Sequence, residues 1–280
     1  MPKAQQSPLR WVLYGFAALC TLYAYVLWTT PPLGWEVNNQ AVQAGTDLTV
    51  LGIGRHSASV IFMHGLGGTA QLGLEMVERL RQELWQVSFV LPSAPDVPVT
   101  ANDGNLMRAW FDIDELTELG PDTPMPTRED ETGMMKSVAR IHALVQAEID
   151  KGIEPDRIVV AGFSQGCVMS LLTGLTTKHH LGGIMCLSGW LPMAYKLDKS
   201  GGKWRHPWQT AHAHEAPVFY GHGEADNVVP VTWGEESIGL LHKIGFKDIE
   251  HHTYPALEHY MVKDEEKDIA RWLRKILPPT

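Results

Sequence analysis

The sequence predicts an α/β protein with a mostly parallel sheet covered by helices, and three observations support this prediction. Short apolar runs alternate with longer amphipathic segments along most of the chain. The apolar run that begins at Ile158 leads directly into Gly-x-Ser-x-Gly and then into a helix-forming segment. Polar residues follow several apolar runs, at the edge where parallel sheets bind their ligands. The sequence therefore predicts a functional site at the carboxyl ends of the strands.

The composition is that of a globular protein and argues against one class of partner. The chain has 280 residues, of which 44% are apolar, and its formal net charge is −9. Because Lys and Arg are also scattered, we expect no nucleic acid partner. Three cysteines give no disulfide framework, and Cys167 and Cys186 lie in predicted buried elements, where we expect inert thiols.

The amino terminus differs from the rest of the chain and predicts a transmembrane helix. Residues 11–28 carry no charge, and Trp11 and Trp28 lie at the ends of this span, where aromatic rings suit the membrane interface. A cleaved signal peptide and a buried core helix are alternatives, but the span is long for the first and apolar all round for the second. We expect an anchor at residues 1–30, a linker at 31–48 and the α/β domain at 49–280.

The charges that flank this span predict its orientation. Lys3 and Arg10 precede it, and the next basic residue is Arg55. The positive-inside rule therefore places the amino terminus in the cytosol and the α/β domain in a lumen or outside the cell. The sequence has no Asn-x-Ser/Thr glycosylation site and no cysteine pair that resembles a stabilising disulfide, and both observations argue against a lumenal or extracellular domain.

The elements of the α/β domain follow in order from apolar periodicity. We predict strands at 58–63, 87–91, 158–163, 183–188, 218–220 and 249–254, and helices at 70–85, 129–151, 168–175, 233–244 and 263–277. Residues 93–128 lack periodicity and are rich in Pro, Asp and Gly. A loop this long within a compact domain is usually functional.

The segment around Ser164 has the order of a nucleophile elbow, in which a strand turns sharply into a helix. Gly162 and Gly166 allow the close packing that such a turn requires. The turn exposes the serine hydroxyl above the sheet and leaves the N–H of Gln165 free to stabilise negative charge. A glycine-rich turn without chemistry is the alternative interpretation.

A serine nucleophile needs a base, and the base needs an acid that orients it. In this topology the acid and then the base follow the serine along the chain. Asp226 follows the strand at 218–220 and is the predicted acid, with Glu224 as the alternative. We expect His222 to pack or hydrogen-bond beneath the turn that carries the acid.

The choice of base is made among 13 histidines. His251 and His252 lie within the last predicted strand, where at most one could face the active end of the sheet. His259 lies in the loop between that strand and the terminal helix, which is the position that the topology requires. The sequence therefore predicts His259 as the base.

The oxyanion hole needs two N–H donors. Gln165 supplies one, and the glycine-rich loop after the first core strand supplies the other, most simply from Leu66. The sequence contains no His-Glu-x-x-His, Cys-x-x-Cys or phosphate-loop motif, so we expect neither a metal nor a cofactor. His212 and His214 could bind a metal, but an ordinary surface loop explains them better.

Five motifs taken together resemble the acyl-protein thioesterase, lysophospholipase and carboxylesterase family of small α/β-hydrolases. They are His64-Gly65-Leu66-Gly67, Ala109-Trp110-Phe111-Asp112-Ile113, Gly162-Phe163-Ser164-Gln165-Gly166, Leu187-Ser188-Gly189-Trp190-Leu191-Pro192 and His222-Gly223-Glu224-Ala225-Asp226-Asn227-Val228-Val229-Pro230. The resemblance covers about residues 57–279. It departs from the family at Gly68, where members commonly carry Asp.

This resemblance implies an α/β-hydrolase fold without a large cap domain, which makes residues 49–280 a catalytic domain. It implies hydrolysis of acyl thioesters on S-palmitoylated cysteines and of oxyesters such as lysophospholipids, without a cofactor. The family's triad maps onto Ser164, Asp226 and His259, and its oxyanion donors map onto Leu66 and Gln165. Family members tend to be cytosolic, in contrast to the orientation that the flanking charges predict. A lumenal domain would favour lipid esters as substrates. The alternative to an enzyme is a membrane-anchored binding module that keeps the hydrolase fold without catalytic activity.

The long loop also supplies candidates for acyl binding. A fatty acyl chain needs an apolar groove beside the serine, because each buried methylene contributes about 0.8 kcal/mol. Large apolar residues cluster in the loop where no helix or strand face explains them, and by resemblance this segment lies near the active site. We therefore expect four residues to bind the acyl chain: Leu106, Met107, Trp110 and Phe111.

Overall fold

A computed structural model describes residues 41–44, 47–115, 119–200 and 203–280. The strands are β1 (Ala41–Ala44), β2 (Asp47–Val50), β3 (Ala58–Met63), β4 (Val87–Leu91), β5 (Asp96–Val99), β6 (Asn105–Arg108), β7 (Ile158–Phe163), β8 (Gly183–Leu187), β9 (Asp198–Ser200), β10 (Lys203–Arg205), β11 (Val218–Gly223) and β12 (Ile249–Tyr254). Eight of them form the main sheet, in the order β1-β2-β4-β3-β7-β8-β11-β12. Neighbouring strands from β4 to β12 are parallel, and β1 and β2 add an antiparallel edge.

Helices cover both faces of this sheet, as expected for a mostly parallel arrangement. They are α1 (Leu74–Glu83), α2 (Glu131–Asp150), α3 (Gln165–Thr176), α4 (Val231–Lys243) and α5 (Lys263–Ile276). Alternate residues of β3 point to opposite faces, so that Ile61 and Met63 pack with α2 and α3, whereas Val60 and Phe62 pack with α1 and α5. Two apolar cores, one on each face, therefore fix the sheet between its helices. This confirms the predicted α/β-hydrolase arrangement of strands and helices.

The long loop contains a β-hairpin that was not predicted from the sequence. β5 and β6 form an antiparallel hairpin, with Asp103 and Gly104 at its turn. Both turn residues have positive φ, of 55° and 72° respectively. Asp-Gly is among the strongest sequence signals for a hairpin, so the signal was present. Helix α2 then begins at Glu131, where the Asp130 side chain accepts a hydrogen bond from the Gly133 N–H and caps the helix.

The predicted transmembrane helix requires a correction. Residues 11–28 lie outside the described residues, and no helix that the structure describes is both long and apolar enough to cross a bilayer. The fold class that included such a helix was therefore wrong, and the fold is the α/β-hydrolase sheet with its covering helices. The prediction of a single-pass membrane protein, anchored by an amino-terminal helix, is corrected with it.

The expectation of separate core thiols is corrected as well. Cys167 in α3 and Cys186 in β8 are both fully buried, and the structure joins them in a disulfide. Their Cα atoms are 4.3 Å apart. The two residues are 19 positions apart in sequence. The link is possible because α3 packs directly on β8, a tertiary contact that cysteine spacing alone does not reveal.

Candidate active site

Ser164 lies at the sharp turn between β7 and α3, with φ of 57° and ψ of −122°. This conformation is strained for a residue with a side chain, and it persists because the surrounding backbone holds it. The Ser164 N–H donates to the Leu187 carbonyl at 2.8 Å. A methyl group on Gly162 would overlap the backbone of Gly166, and one on Gly166 would overlap the Met63 carbonyl. Both glycines of the motif are therefore required by packing.

The three residues predicted as a triad are joined by hydrogen bonds. His259 Nε2 lies 2.9 Å from Ser164 Oγ, and His259 Nδ1 lies 2.7 Å from Asp226 Oδ2. The loop after β12 carries His259, and its ring packs against Phe163 with centroids 4.8 Å apart. This arrangement lets the imidazole take the serine proton at Nε2 while the carboxylate holds its Nδ1–H.

Asp226 is held from its other side by the backbone. Its Oδ1 accepts from the N–H groups of Val228 and Val229 at 2.9 and 2.8 Å. Burial alone would raise the pKa of Asp226, but its bond to His259 and the two N–H groups together lower that pKa below its ordinary value. The carboxylate therefore stays ionised at neutral pH, as an acid that orients a histidine must be.

The competing candidates lie elsewhere. Glu224, the alternative acid, is exposed and accepts a hydrogen bond from Thr253 Oγ1 at 2.8 Å. His252 bonds Glu250 at 3.1 Å, and the His251 ring lies edge-on to Tyr220. His222 is fully buried beneath the turn that carries the acid, where its Nε2 bonds the Val229 carbonyl at 2.8 Å.

The two predicted oxyanion donors lie on the loop after β3 and at the start of α3. The N–H groups of Leu66 and Gln165 have no hydrogen-bond acceptor among the described residues. Gln165 is the first residue of α3, so the positive end of the helix dipole adds to its N–H. A methyl group on Gly65 would lie 3.1 Å from Ser164 Cβ, which shows how closely the loop approaches the nucleophile. An N–H from the loop at 64–68 and an N–H from the start of α3 are therefore placed to donate to the same substrate oxygen.

His64 organises the loop that carries Leu66. Its Nδ1 donates to the Gly65 carbonyl at 2.6 Å, and its Nε2 accepts from the Ala94 N–H at 2.9 Å. Burial lowers the pKa of His64 to about 4, so the ring is neutral and keeps one tautomer at neutral pH. A side chain on Gly68 would press on this ring, since a methyl group there would lie 2.9 Å from Nδ1. His64 therefore helps to hold the loop that carries Leu66, and Gly68 leaves room for its ring.

Gln165 joins the nucleophile helix to the long loop through its side chain. Its Oε1 accepts from the Trp110 N–H at 2.9 Å, and its Nε2 donates to the Phe111 carbonyl at 2.7 Å. Trp110 Nε1 donates to the His64 carbonyl at 2.8 Å. These contacts connect the loop that carries Leu66 to the start of α3, the two parts of the predicted oxyanion hole.

The four predicted acyl-binding residues separate into two pairs. Leu106 and Met107 lie on the hairpin, where Leu106 is 71% exposed and the Met107 sulfur faces Gly67. Trp110 and Phe111 are buried in the core, and they bond the loop at 64–68 and the Gln165 side chain of α3. The structure therefore leaves the hairpin pair available to a substrate and gives the other pair a supporting position.

The half-buried carboxyl group of Glu129 lies beside this region and was not predicted from the sequence. Glu129 accepts hydrogen bonds from Trp190 Nε1 at 2.8 Å and from the Met193 N–H at 2.5 Å. Burial raises the pKa of Glu129 to about 7. The Trp190 ring packs edge-on against Phe111, so Glu129 ties the long loop to the loop after β8. No local motif marks this contact, because the bonded residues are more than 60 positions apart.

Known proteins resemble this chain over most of its length. The family model described as Phospholipase/Carboxylesterase matches residues 46–277. Acyl-protein thioesterase 1 of Gibberella zeae is 43% identical over 228 residues, which span 80% of this chain and 93% of that protein. Acyl-protein thioesterase 1 of Neurospora crassa is 40% identical over 233 residues, which span 82% of this chain and 91% of the relative.

Solved structures resemble this chain as well. Arabidopsis thaliana SOBER1 superposes with a TM-score of 0.68 at 29% identity, covering 79% of this chain and 99% of that chain. Zea mays acyl-protein thioesterase 2 superposes with a TM-score of 0.65 at 27% identity, covering 84% of this chain and 100% of that chain. The matched region in the family comparison begins at residue 46 and so does not include the predicted anchor.

Proposed function

The chain belongs to the phospholipase/carboxylesterase family of serine hydrolases, and we propose that it cleaves fatty acyl groups from cysteine thiols of proteins. The observation that carries the proposal is the unbroken hydrogen-bonded line from Ser164 through His259 to Asp226. Two relatives that match most of the chain are named acyl-protein thioesterases, which favours a thioester substrate.

The geometry supports the following course for the reaction. Ser164 Oγ attacks the carbonyl carbon of the thioester while His259 Nε2 takes the hydroxyl proton. The carbonyl oxygen becomes an oxyanion that the N–H groups of Leu66 and Gln165 stabilise. The C–S bond then breaks, the cysteine sulfur leaves with the proton from His259, and the acyl group remains on Ser164 as an ester.

Water completes the cycle by the same route. It attacks the acyl-enzyme while His259 takes one of its protons, and the oxyanion forms again in the same hole. Collapse of this intermediate breaks the bond to Ser164 Oγ, which recovers its proton from His259, and the fatty acid leaves. A thiol with a pKa of about 8.5 is a better leaving group than an alcohol, so cleavage of the thioester depends less on proton donation.

Acyl binding is assigned to the exposed hairpin in this proposal. On this hairpin the Met107 sulfur lies near Gly67, beside the loop that carries Leu66, and Leu106 adds exposed apolar surface. Trp110 and Phe111 are buried in the core, so in this proposal they support the site and do not contact the acyl chain. Metals and cofactors have no part in the proposed steps.

The test compares two peptides that differ in one atom. One carries S-palmitoyl cysteine and the other carries O-palmitoyl serine at the same position. We expect turnover of the thioester peptide by the wild type and none above background by Ser164→Ala. Cleavage of the serine ester and of lysophospholipid without cleavage of the thioester would instead support a lipid esterase. Cleavage of neither peptide would contradict the proposal.

A further inference from the structure

The turn that carries Asp226 rests on a histidine outside the proposed triad. His222 occupies the end of β11, and its side chain is fully buried. Its Nε2 lies 2.8 Å from the Val229 carbonyl oxygen. A carbonyl oxygen only accepts, so Nε2 carries the proton. His222 Nδ1 has no hydrogen-bond partner among the described residues, so this nitrogen carries none.

The imidazole of His222 is therefore neutral and has a single tautomer. Burial lowers its pKa below the ordinary value, in agreement with a ring that does not gain a second proton at neutral pH. The unprotonated nitrogen faces Gly234 in α4, where an added methyl group would lie 2.6 Å from it. The helix has a glycine at the place where the ring needs room, which fixes the ring between α4 and the turn.

Val229 is held at both of its backbone polar groups. Its carbonyl accepts from His222, and its N–H donates to Asp226 Oδ1 at 2.8 Å. The other carboxylate oxygen of Asp226 accepts from His259 Nδ1 at 2.7 Å. The position of Val229 therefore determines where the carboxylate lies, and the carboxylate determines how the imidazole of His259 faces Ser164.

We propose that His222 is a positioning residue for the reaction, which fixes Val229 by its Nε2–H donation and thereby aims the Asp226 carboxylate at His259. This inference rests on the proposed function of Ser164, Asp226 and His259. His222 does not itself act as the base, because its Nε2–H is engaged with Val229 and it is His259 that bonds Ser164 Oγ. Its effect is on the geometry of proton transfer, where a misplacement of about 1 Å can cost ~100-fold in rate.

Two polar substitutions separate this role from simple burial. Gln places its amide nitrogen where His222 Nε2 lies, so His222→Gln keeps a donor toward Val229. Asn is one methylene shorter, so His222→Asn places its amide near Gly234 and cannot reach the Val229 carbonyl. Both variants put a neutral amide in the same buried site and therefore share most of the cost of replacing the ring.

We measure kcat and KM for a p-nitrophenyl acyl ester, with the active fraction of each variant counted by fluorophosphonate titration. For His222→Asn we expect kcat to fall about 10- to 100-fold with KM within about twofold, because substrate contacts are unchanged. For His222→Gln we expect kcat within about threefold of wild type. The far-downfield proton resonance of His259 Nδ1–H is expected to persist in His222→Gln and to weaken in His222→Asn.

The outcomes distinguish this inference from the proposed function. Equal kcat losses in both variants, a wild-type kcat in His222→Asn, or a change confined to KM would each overturn the positioning role. His222→Phe, which removes the donor and keeps a ring, gives a third comparison and is expected to resemble His222→Asn. Full activity in Ser164→Ala and Asp226→Asn would refute the triad itself, whatever the His222 variants do.

Discussion

Replacing Asp226 by Asn is expected to reverse the hydrogen bond that orients His259. The Oδ1 atom accepts from two backbone N–H groups, those of Val228 and Val229. An amide at this position will keep its oxygen toward these two donors, because the opposite orientation would sacrifice both bonds. Its NH2 group then faces His259 Nδ1, which is 2.7 Å from the present Oδ2. Two donors cannot share one hydrogen bond, so the imidazole must move its proton to Nε2.

This tautomer cannot accept the proton of Ser164, whose Oγ lies 2.9 Å from Nε2. Loss of the correct tautomer in a serine triad costs about 10⁴-fold in kcat. That factor corresponds to about 5.4 kcal/mol of transition-state stabilisation. The expected loss in Asp226→Asn is therefore ~10⁴-fold in kcat, with little change in KM, because the substituted group does not touch the substrate.

The assay is steady-state hydrolysis of a p-nitrophenyl acyl ester, with circular dichroism to confirm the fold. Glu224→Gln is the matched control, since Glu224 carries an equal charge two residues away and bonds Thr253 at the surface. We expect its kcat within about twofold of wild type. The reasoning is refuted if Asp226→Asn keeps more than a tenth of the activity, or if Glu224→Gln loses activity to the same extent.

Three further predictions follow from contacts in the structure. Leu106→Ala should lower kcat/KM about tenfold (~1.4 kcal/mol) for palmitoyl esters and much less for acetyl esters, with both esters measured side by side. Equal losses on the two esters would show that the hairpin has a structural role and does not bind the acyl chain. The pKa of Glu129 is about 7 in the folded protein, so the folded state loses stability as the pH rises from about 4.5 through 7. Urea unfolding at pH 5 and at pH 8 should show that the wild type loses up to about 3 kcal/mol of unfolding free energy and that Glu129→Gln does not. The same pH dependence in both proteins would contradict this. Gly166→Ala should destabilise the folded protein by about 3 kcal/mol or more, because the added methyl group overlaps the Met63 carbonyl. Gly239→Ala is the control and should not destabilise the protein, because a methyl group there meets nothing within 4 Å. Equal melting temperatures of the two variants would refute the packing argument.

The parts of the site that the sequence predicts share a local or topological cause. The turn at Ser164 needs glycines at fixed offsets, so the motif is visible in five consecutive residues. Asp226 and His259 follow from chain order, because each lies after a strand whose end faces the same edge of the sheet. One strong local signal, Asp103-Gly104, was overlooked because the surrounding segment lacks the alternation of a buried strand.

Other contacts have no local signal to read. The Glu129 carboxyl bonds Trp190, which is more than 60 residues away in sequence. The pairing of Cys167 with Cys186 depends on how α3 packs against β8. The apolar run at 11–28 is a strong local signal that led to a wrong prediction. Its hydropathy predicted a transmembrane helix, and no described helix supports that prediction. Side-chain partners and burial depend on tertiary packing, and periodicity records only which face of an element is apolar.

The central claim is that Ser164 is the nucleophile of this hydrolase. Intact-protein mass spectrometry after reaction with a fluorophosphonate, followed by peptide mapping, tests it most directly. We expect one adduct per chain, located on the peptide that contains Ser164, with no adduct in Ser164→Ala and much slower labelling in His259→Ala. Labelling of Ser164→Ala at the wild-type rate, or an adduct on another residue, would contradict the claim.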